Sequence, residues 1–420
     1  MLIDMNYSAR IVFGLFTFTC FTHHAFCAAN FDWPQWRGPD RTDVSKETGL
    51  LKSWPAEGPK RAWVFKNAGD GYSGPAIVAG KLFTMGTRDD QEILLALNVT
   101  DGSELWVAPI GAIRRDDKGH GPRGTPSVDG DRVYGMSGRG ELVCAQVSDG
   151  KVLWKKTMSE LGGKVPGWGF TESVLVDGEN VICTPGGPKG AIAALDKKTG
   201  DLRWQSADFT DPSDHSSIIP IVHNGVRQYV QLTQKTLVAV APKDGKVLWK
   251  AAFPGRVAVI PTPIYSDGCV YATADYQVGC MLVKIADNNE VTTVYQNKLM
   301  QNHHGGVVLV DGHLYGYSGS AGWLCQNFKT GEQVWSSKNL GKGAVTYADG
   351  MLYCLEEGSG TVALIEASPK GWEEHGRFKL DPQTKIRTPD GRVWTHPVIS
   401  NGKLFLRDQD LIYCYDIKNG

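Results

Sequence analysis

Ten histidines occur in the chain, and beyond His23 and His24 most of them (His120, His215, His303, His304 and His396) fall in irregular stretches that also carry arginine, tryptophan and acidic residues. One stretch offers Arg114, Arg115, His120 and Arg123, the next Trp168, and another Asp211 and Asp214. Gln301-Asn302-His303-His304 forms a fourth, and Arg392, Trp394 and His396 a fifth, with Asp408 and Asp410 close behind. Guanidinium, imidazole and indole groups gathered at one mouth can bind an anionic or hydrogen-bonding ligand, with Trp168 or Trp394 as a stacking surface. The candidate ligand-binding set is Arg123, Trp168, Asn302, His303, His304, Trp394, His396 and Asp408.

Other chemistry is less well supported by the sequence. His303 and His304 are adjacent, and neighbours on an extended strand point to opposite faces, so a shared metal ion is not expected. No CxxC or Cys/His spacing suggests a metal site. The chain contains no HExxH, GxSxG, GxxxxGK[ST] or CxxCH, and no catalytic residue is assigned.

The elements that must position these residues are short strands. Lys and Arg total 44 against 45 Asp and Glu, which leaves no electrostatic footprint for nucleic acid or an anionic membrane. Residues 1–29 read as a secretory signal peptide: Arg10 precedes the apolar run from Ile11 to Phe21, and Ala25, Ala28 and Ala29 offer a cleavage site. The apolar run is too short to span a bilayer comfortably, and Phe26 before Cys27 argues against lipid anchoring. The expected mature protein is exported, periplasmic or extracellular, soluble and monomeric. Of the cysteines beyond the leader, most sit within apolar runs and read as small buried hydrophobes. Cys269 and Cys280 could face each other across one hairpin. Residues 30–59 carry Trp33, Trp36 and Trp54 without a period and read as an ordered arm laid across the fold, its tryptophans packed on strands or offered to a ligand.

From residue 60 onward the chain repeats. One turn recurs at Gly80, Gly130, Gly178, Gly225, Gly268, Gly312, Gly350 and Gly402, preceded by Asp or Asn in every copy except Ala79. Asp-Gly and Asn-Gly between alternating β-rich runs are strong hairpin signals. A second turn recurs at Gly102, Gly150, Gly200, Gly245, Asn289, Gly331, Gly371 and Gly420. Trp106, Trp154, Trp204, Trp249 and Trp335 each stand four residues after such a turn. Four short strands in a unit of about 40 to 50 residues describe a β-propeller blade. The last unit lacks its outermost strand, and Ala62-Trp63-Val64-Phe65 supplies one from the other terminus. The expectation is an all-β, eight-bladed propeller over 60–420, closed by that N-terminal strand, with no open sheet edge at the seam. The two turn types are expected to be two residues long and to share one face, leaving the variable loops, and function, on the other.

Ala194-Leu-Asp196-Lys-Lys-Thr199-Gly200-Asp-Leu-Arg-Trp204, echoed by Phe328-Lys-Thr330-Gly331-Glu-Gln-Val-Trp335, resembles the pyrroloquinoline-quinone-like propeller repeat. The resemblance covers roughly 60–420. It implies one of two functions. The first is that of the BamB-type factors of outer-membrane protein assembly, non-enzymatic scaffolds that bind protein partners in the cell envelope. The alternative is a quinone-dependent alcohol dehydrogenase using pyrroloquinoline quinone and calcium. Such dehydrogenases typically carry an adjacent Cys-Cys pair at the cofactor, and this chain has no adjacent cysteines. Asp408, Asp410 and Asn302 are the donors through which a weaker calcium and quinone arrangement would have to work.

Overall fold

The computed structural model describes Met1 and residues 30–419, so the expected signal peptide, with Cys20 and Cys27, lies outside the described residues. Contacts divide the chain into 1–30 and a compact body, 31–420. Among the described residues every regular element is a β-strand, and no helix is long and apolar enough to cross a membrane.

The body is an eight-bladed β-propeller. Each blade is an antiparallel sheet whose strands, here A to D, run outward from the axis. Blade 2 is typical, with A at Ser127–Asp129, B at Arg132–Met136, C at Glu141–Gln146 and D at Val152–Thr157. Blade 8 is completed from the far end of the chain: Lys60–Phe65 pairs with Leu411–Asp416, placing Trp63 opposite Cys414.

Strands B and C are buried on both faces because each blade packs against two neighbours. The hydrophobic core is accordingly a ring of eight separate clusters, one between each adjacent pair of blades. Phe83, Met85 and Leu94 of blade 1, for example, meet Val133 and Val143 of blade 2. Cys269 pairs with Lys284 and Cys280 with Thr273, so these two cysteines do not oppose each other, and all seven cysteines from Cys144 to Cys414 are free. Pro220 lies within strand A of blade 4, whereas Pro75, Pro126, Pro263 and Pro397 stand one residue before theirs.

Two details of the turns differ from expectation. In six blades both central residues of the A–B turn have positive φ, as at Asn224-Gly225 and Asp349-Gly350. In blade 2 Asp129 pairs with Arg132, so the central residues are Gly130-Asp131 and only the glycine is left-handed; Gly178-Glu179 behaves likewise. A glycine at the first central position selects the turn that needs positive φ there alone. The C–D connections are longer than two residues: Asp196 ends one strand and Leu202 begins the next. They are closed by an amide four residues on, as in Gly200 N–H to Asp196 O at 2.8 Å.

That longer turn explains why glycine and tryptophan recur together. A Cβ on Gly200 would lie 2.7 Å from the indole of Trp154 in the preceding blade, and Gly102, Gly150 and Gly245 approach Trp63, Trp106 and Trp204 in the same way. Each indole N–H then donates to a carbonyl of the next blade: Trp63 to Val99, Trp106 to Val147, Trp154 to Lys197 and Trp204 to Pro242. Where Asn289 replaces the glycine, Trp249 donates instead to Gln228 of its own blade at 2.7 Å, and Gln228 donates to Asn289.

Candidate functional site

The arm is ordered over the fold: its 31–45 portion enters the axis, and beyond it Leu50, Leu51 and Trp54 run across blades 7 and 8. Trp33 bridges to Ile77 in blade 1, Pro34 accepts from Val128 in blade 2, and Val44–Ser45 adds a parallel strand to blade 7. Between these points, Arg37 and Arg41 are among the largest fully buried side chains of the chain. A buried guanidinium is tolerated only when its donors are satisfied. Arg37 donates to Val307 O at 2.6 Å and to Thr42 O, and pairs with Asp43 at 2.7 Å. Arg41 donates to Ser173 O and Val174 O. Asp43 in turn meets His396 at 3.0 Å, and His396 reaches His304 O at 2.8 Å through its other nitrogen.

Above this plug the variable loops enclose a cavity of about 200 Å³. Seven of its walls come from the segments leading into strand A: Tyr72, Lys118 with Arg123, Trp168 with Ser173, His215 with Ser217, Ala258 with Ile260, His303 with His304, and Trp394. Tyr276 comes from a B–C loop, and Trp36 of the arm also lines the cavity. The variable face thus carries the cavity.

Five of the eight residues expected from sequence converge here: Arg123, Trp168, His303, His304 and Trp394. The other three do not line it. Asn302 is buried with its amide donating to Gly306 O and Tyr317 O. His396 belongs to the arm's buried pairing and packs 4.5 Å from Trp36. Asp408 is buried in an ion pair with Arg387 at 2.7 Å. Of the other loop residues, Arg115 pairs with Asp90 at the surface, and Asp211 accepts from Thr233 at 2.6 Å.

Burial disfavours the charged form of the three imidazoles that line the cavity. Burial, reinforced by Arg123 and Arg114, pushes His215 down to about 4. Burial, with Lys342 and His215, takes His303 down to about 3, and burial holds His304 well below its usual value. Burial also raises Asp214 to about 6 and pushes Glu357 upward. The cations face carboxylates: Arg123 pairs with Asp116 at 3.1 Å, which Arg114 also approaches at 3.6 Å, and lies 4.9 Å over the Tyr72 ring, while Lys118 pairs with Asp390 at 2.9 Å.

Sequence reasoning missed Tyr72, Tyr276, Ser173 and Ser217, and left Trp36 between packing and a ligand. The tyrosines and serines carry no distinguishing pattern among many residues of their kind. Trp36 had a signal in the Trp33-Pro-Gln-Trp36-Arg37-Gly-Pro stretch, but nothing local says that the segment enters the axis.

The carboxylates considered for calcium and quinone do not fit that role: Asp408 is neutralised by Arg387, and Asp410 accepts the Thr384 hydroxyl. Asn302 turns its NH2 group onto backbone carbonyls of its own blade and leaves its oxygen buried without a partner among the described residues. None of the three lines the axial cavity. A Glu366, Glu373 and His375 cluster brings three ligand atoms within 4.8 Å of one another, on the outer part of blade 7.

Fold and site together define a closed eight-bladed propeller, plugged by its own N-terminal arm, with an aromatic and imidazole-lined cavity on its variable face. The family described as outer membrane protein assembly factor BamB matches residues 89–337, more than half of the chain, and the chain belongs to that family. It is 22% identical over 305 residues to the BamB of Yersinia pestis, covering 67% of this chain and 70% of that one. Against BamB of Moranella endobia it is 24% identical over 221 residues, covering 50% and 51%. Among solved structures, BamB of Moraxella catarrhalis superposes with a TM-score of 0.59 at 16% identity, over 86% of this chain and 98% of that one. The quinohemoprotein alcohol dehydrogenase of Comamonas testosteroni superposes with a TM-score of 0.62 at 11% identity, over 93% and 81%. Both likenesses concern the fold.

Proposed function

We propose that this chain is an exported, non-catalytic binding scaffold of the cell envelope that engages a protein partner in outer-membrane protein assembly. The observation that carries this reading is the family match over residues 89–337, joined to curated relatives bearing the same name. The ring supplies a suitable surface. Its D strands present an unpaired outer backbone edge, and Leu105, Leu153, Leu202, Val294 and Val334 stand exposed on them. A partner strand can add to such an edge through main-chain hydrogen bonds, with apolar side chains setting register.

The test is genetic and chemical. Deleting the gene should lower the level of outer-membrane β-barrel proteins, and a photocrosslinker at Leu105 or Val294 in the full-length chain should capture a component of their assembly machinery. Unchanged barrel levels, together with no specific crosslink from either position, would sink the proposal.

A further inference from the structure

Around the axial cavity an aromatic ring repeatedly stands beside an imidazole. Trp168 neighbours His215 at 5.8 Å, Tyr276 neighbours His303 at 5.4 Å, and Trp394 neighbours His304 at 6.1 Å, each pair tilted by 51 to 70°. We propose that this cavity binds one uncharged pyranose, its C–H faces against the indole and phenol rings and its hydroxyls on the adjoining imidazoles and serine hydroxyls. The inference does not depend on the scaffold reading, since it concerns the axis and not the rim.

The hydrogen-bonding groups favour a polyol. A sugar hydroxyl both donates and accepts, so it needs partners with spare capacity of each kind. Ser173 Oγ accepts the Thr125 amide at 2.8 Å and Ser217 Oγ accepts the Ser173 amide at 3.0 Å, which leaves each hydroxyl hydrogen to donate. The Tyr276 hydroxyl lies 3.0 Å from His303 Nε2. His304 Nδ1 lies 3.3 Å from the Glu357 carboxylate and 3.4 Å from His303 Nδ1. The His304 Nε2 is buried and without a partner among the described residues, which leaves it to a ligand hydroxyl.

Competing ligand classes fit less well. An anion would need a free cation, but Arg123 and Lys118 are already paired with Asp116 and Asp390. A purely apolar ligand would leave the buried serine hydroxyls and the His304 Nε2 unpaired, which is costly. A volume of about 200 Å³ leaves room for a single ring.

The experiment titrates the full chain with methyl α-mannopyranoside, methyl β-glucopyranoside and methyl β-galactopyranoside, with glucuronate and 2-naphthoate as charged and flat probes. Tryptophan fluorescence and saturation-transfer NMR are the readouts. At least one neutral glycoside should saturate with a dissociation constant on the order of 1 mM. Trp168→Ala should weaken it about tenfold or more at an unchanged melting temperature, and Tyr276→Phe about threefold, while Leu105→Ala on the outer rim should not alter it. Should Trp168→Ala fail to fold, the Tyr276→Phe comparison decides. Absence of saturation by all three glycosides, equal binding by every variant, or tighter binding of glucuronate or 2-naphthoate would overturn the proposal.

Discussion

Glu92 links the cavity's loops to one another. Fully buried in strand C of blade 1, its carboxylate accepts the Arg114 amide at 2.9 Å and the Gly138 amide at 2.7 Å, tying the loop that carries Arg123 to the B–C loop of blade 2. Desolvation outweighs those two hydrogen bonds and raises the carboxyl from 4.5 to about 7. With the folded value above the unfolded one, the stabilisation is fully present below pH 4.5 and is lost as pH rises through about 7. Glu92→Gln removes this dependence. The stability of the variant relative to the parent should therefore improve by roughly 2 to 3 kcal/mol between pH 4.5 and pH 8 in urea titrations. A constant difference across that range would refute the assignment. At this scale the sequence was informative where side chains are rare and chemically distinct, as with Trp168, Trp394 and His303. It misled where a polar residue is consumed by the fold, as with Asp408 held by Arg387 and His396 held by Asp43.

Between residue and ring lies the docking of each D-strand indole onto the C–D turn of the next blade. The periodic turns and tryptophans made the blades countable from sequence alone, down to the strand around Trp63 that closes blade 8. The reason for their coupling was not legible, because the glycine and the indole it admits belong to different blades and lie about one repeat apart. Two substitutions separate backbone strain from docking. Gly200 and Gly225 share a left-handed backbone, φ +77° and +76°, but a Cβ on Gly225 meets nothing within 4 Å while one on Gly200 strikes Trp154. Gly225→Ala should cost about 1 kcal/mol from strain alone. Gly200→Ala should cost about 3 kcal/mol, since Trp154 must also yield its contact and its 3.1 Å bond to Lys197 O. Equal losses by chemical denaturation would show that the indole packing contributes nothing.

At the level of the whole molecule, a ring of eight inter-blade cores leaves its axis as the one place where strand A of every blade converges. In this chain 31–45 fills that place, and the filling is ionic: Arg37, Asp43 and His396 form a buried chain reaching blade 8, while Arg41 holds blade 3. The sequence offered a Trp-rich, aperiodic arm but no indication of depth, because burying two arginines becomes favourable only once carbonyls from Ser173, Val174 and Val307 are aimed at one point. That arrangement carries an asymmetric prediction. Arg37→Met should cost about 3 to 5 kcal/mol, since it leaves Asp43 buried beside a lost partner. Asp43→Asn, nearly isosteric, strands the guanidinium and should cost a similar amount. The double variant should recover a substantial part of the summed loss, because a neutral pair no longer has to be desolvated as charges. Strict additivity in guanidinium titrations would mean that the Arg37–Asp43 pair does not hold the arm. A positive coupling would identify the ion pair as the lock that keeps the plug, and with it the Trp36 wall of the cavity, in place.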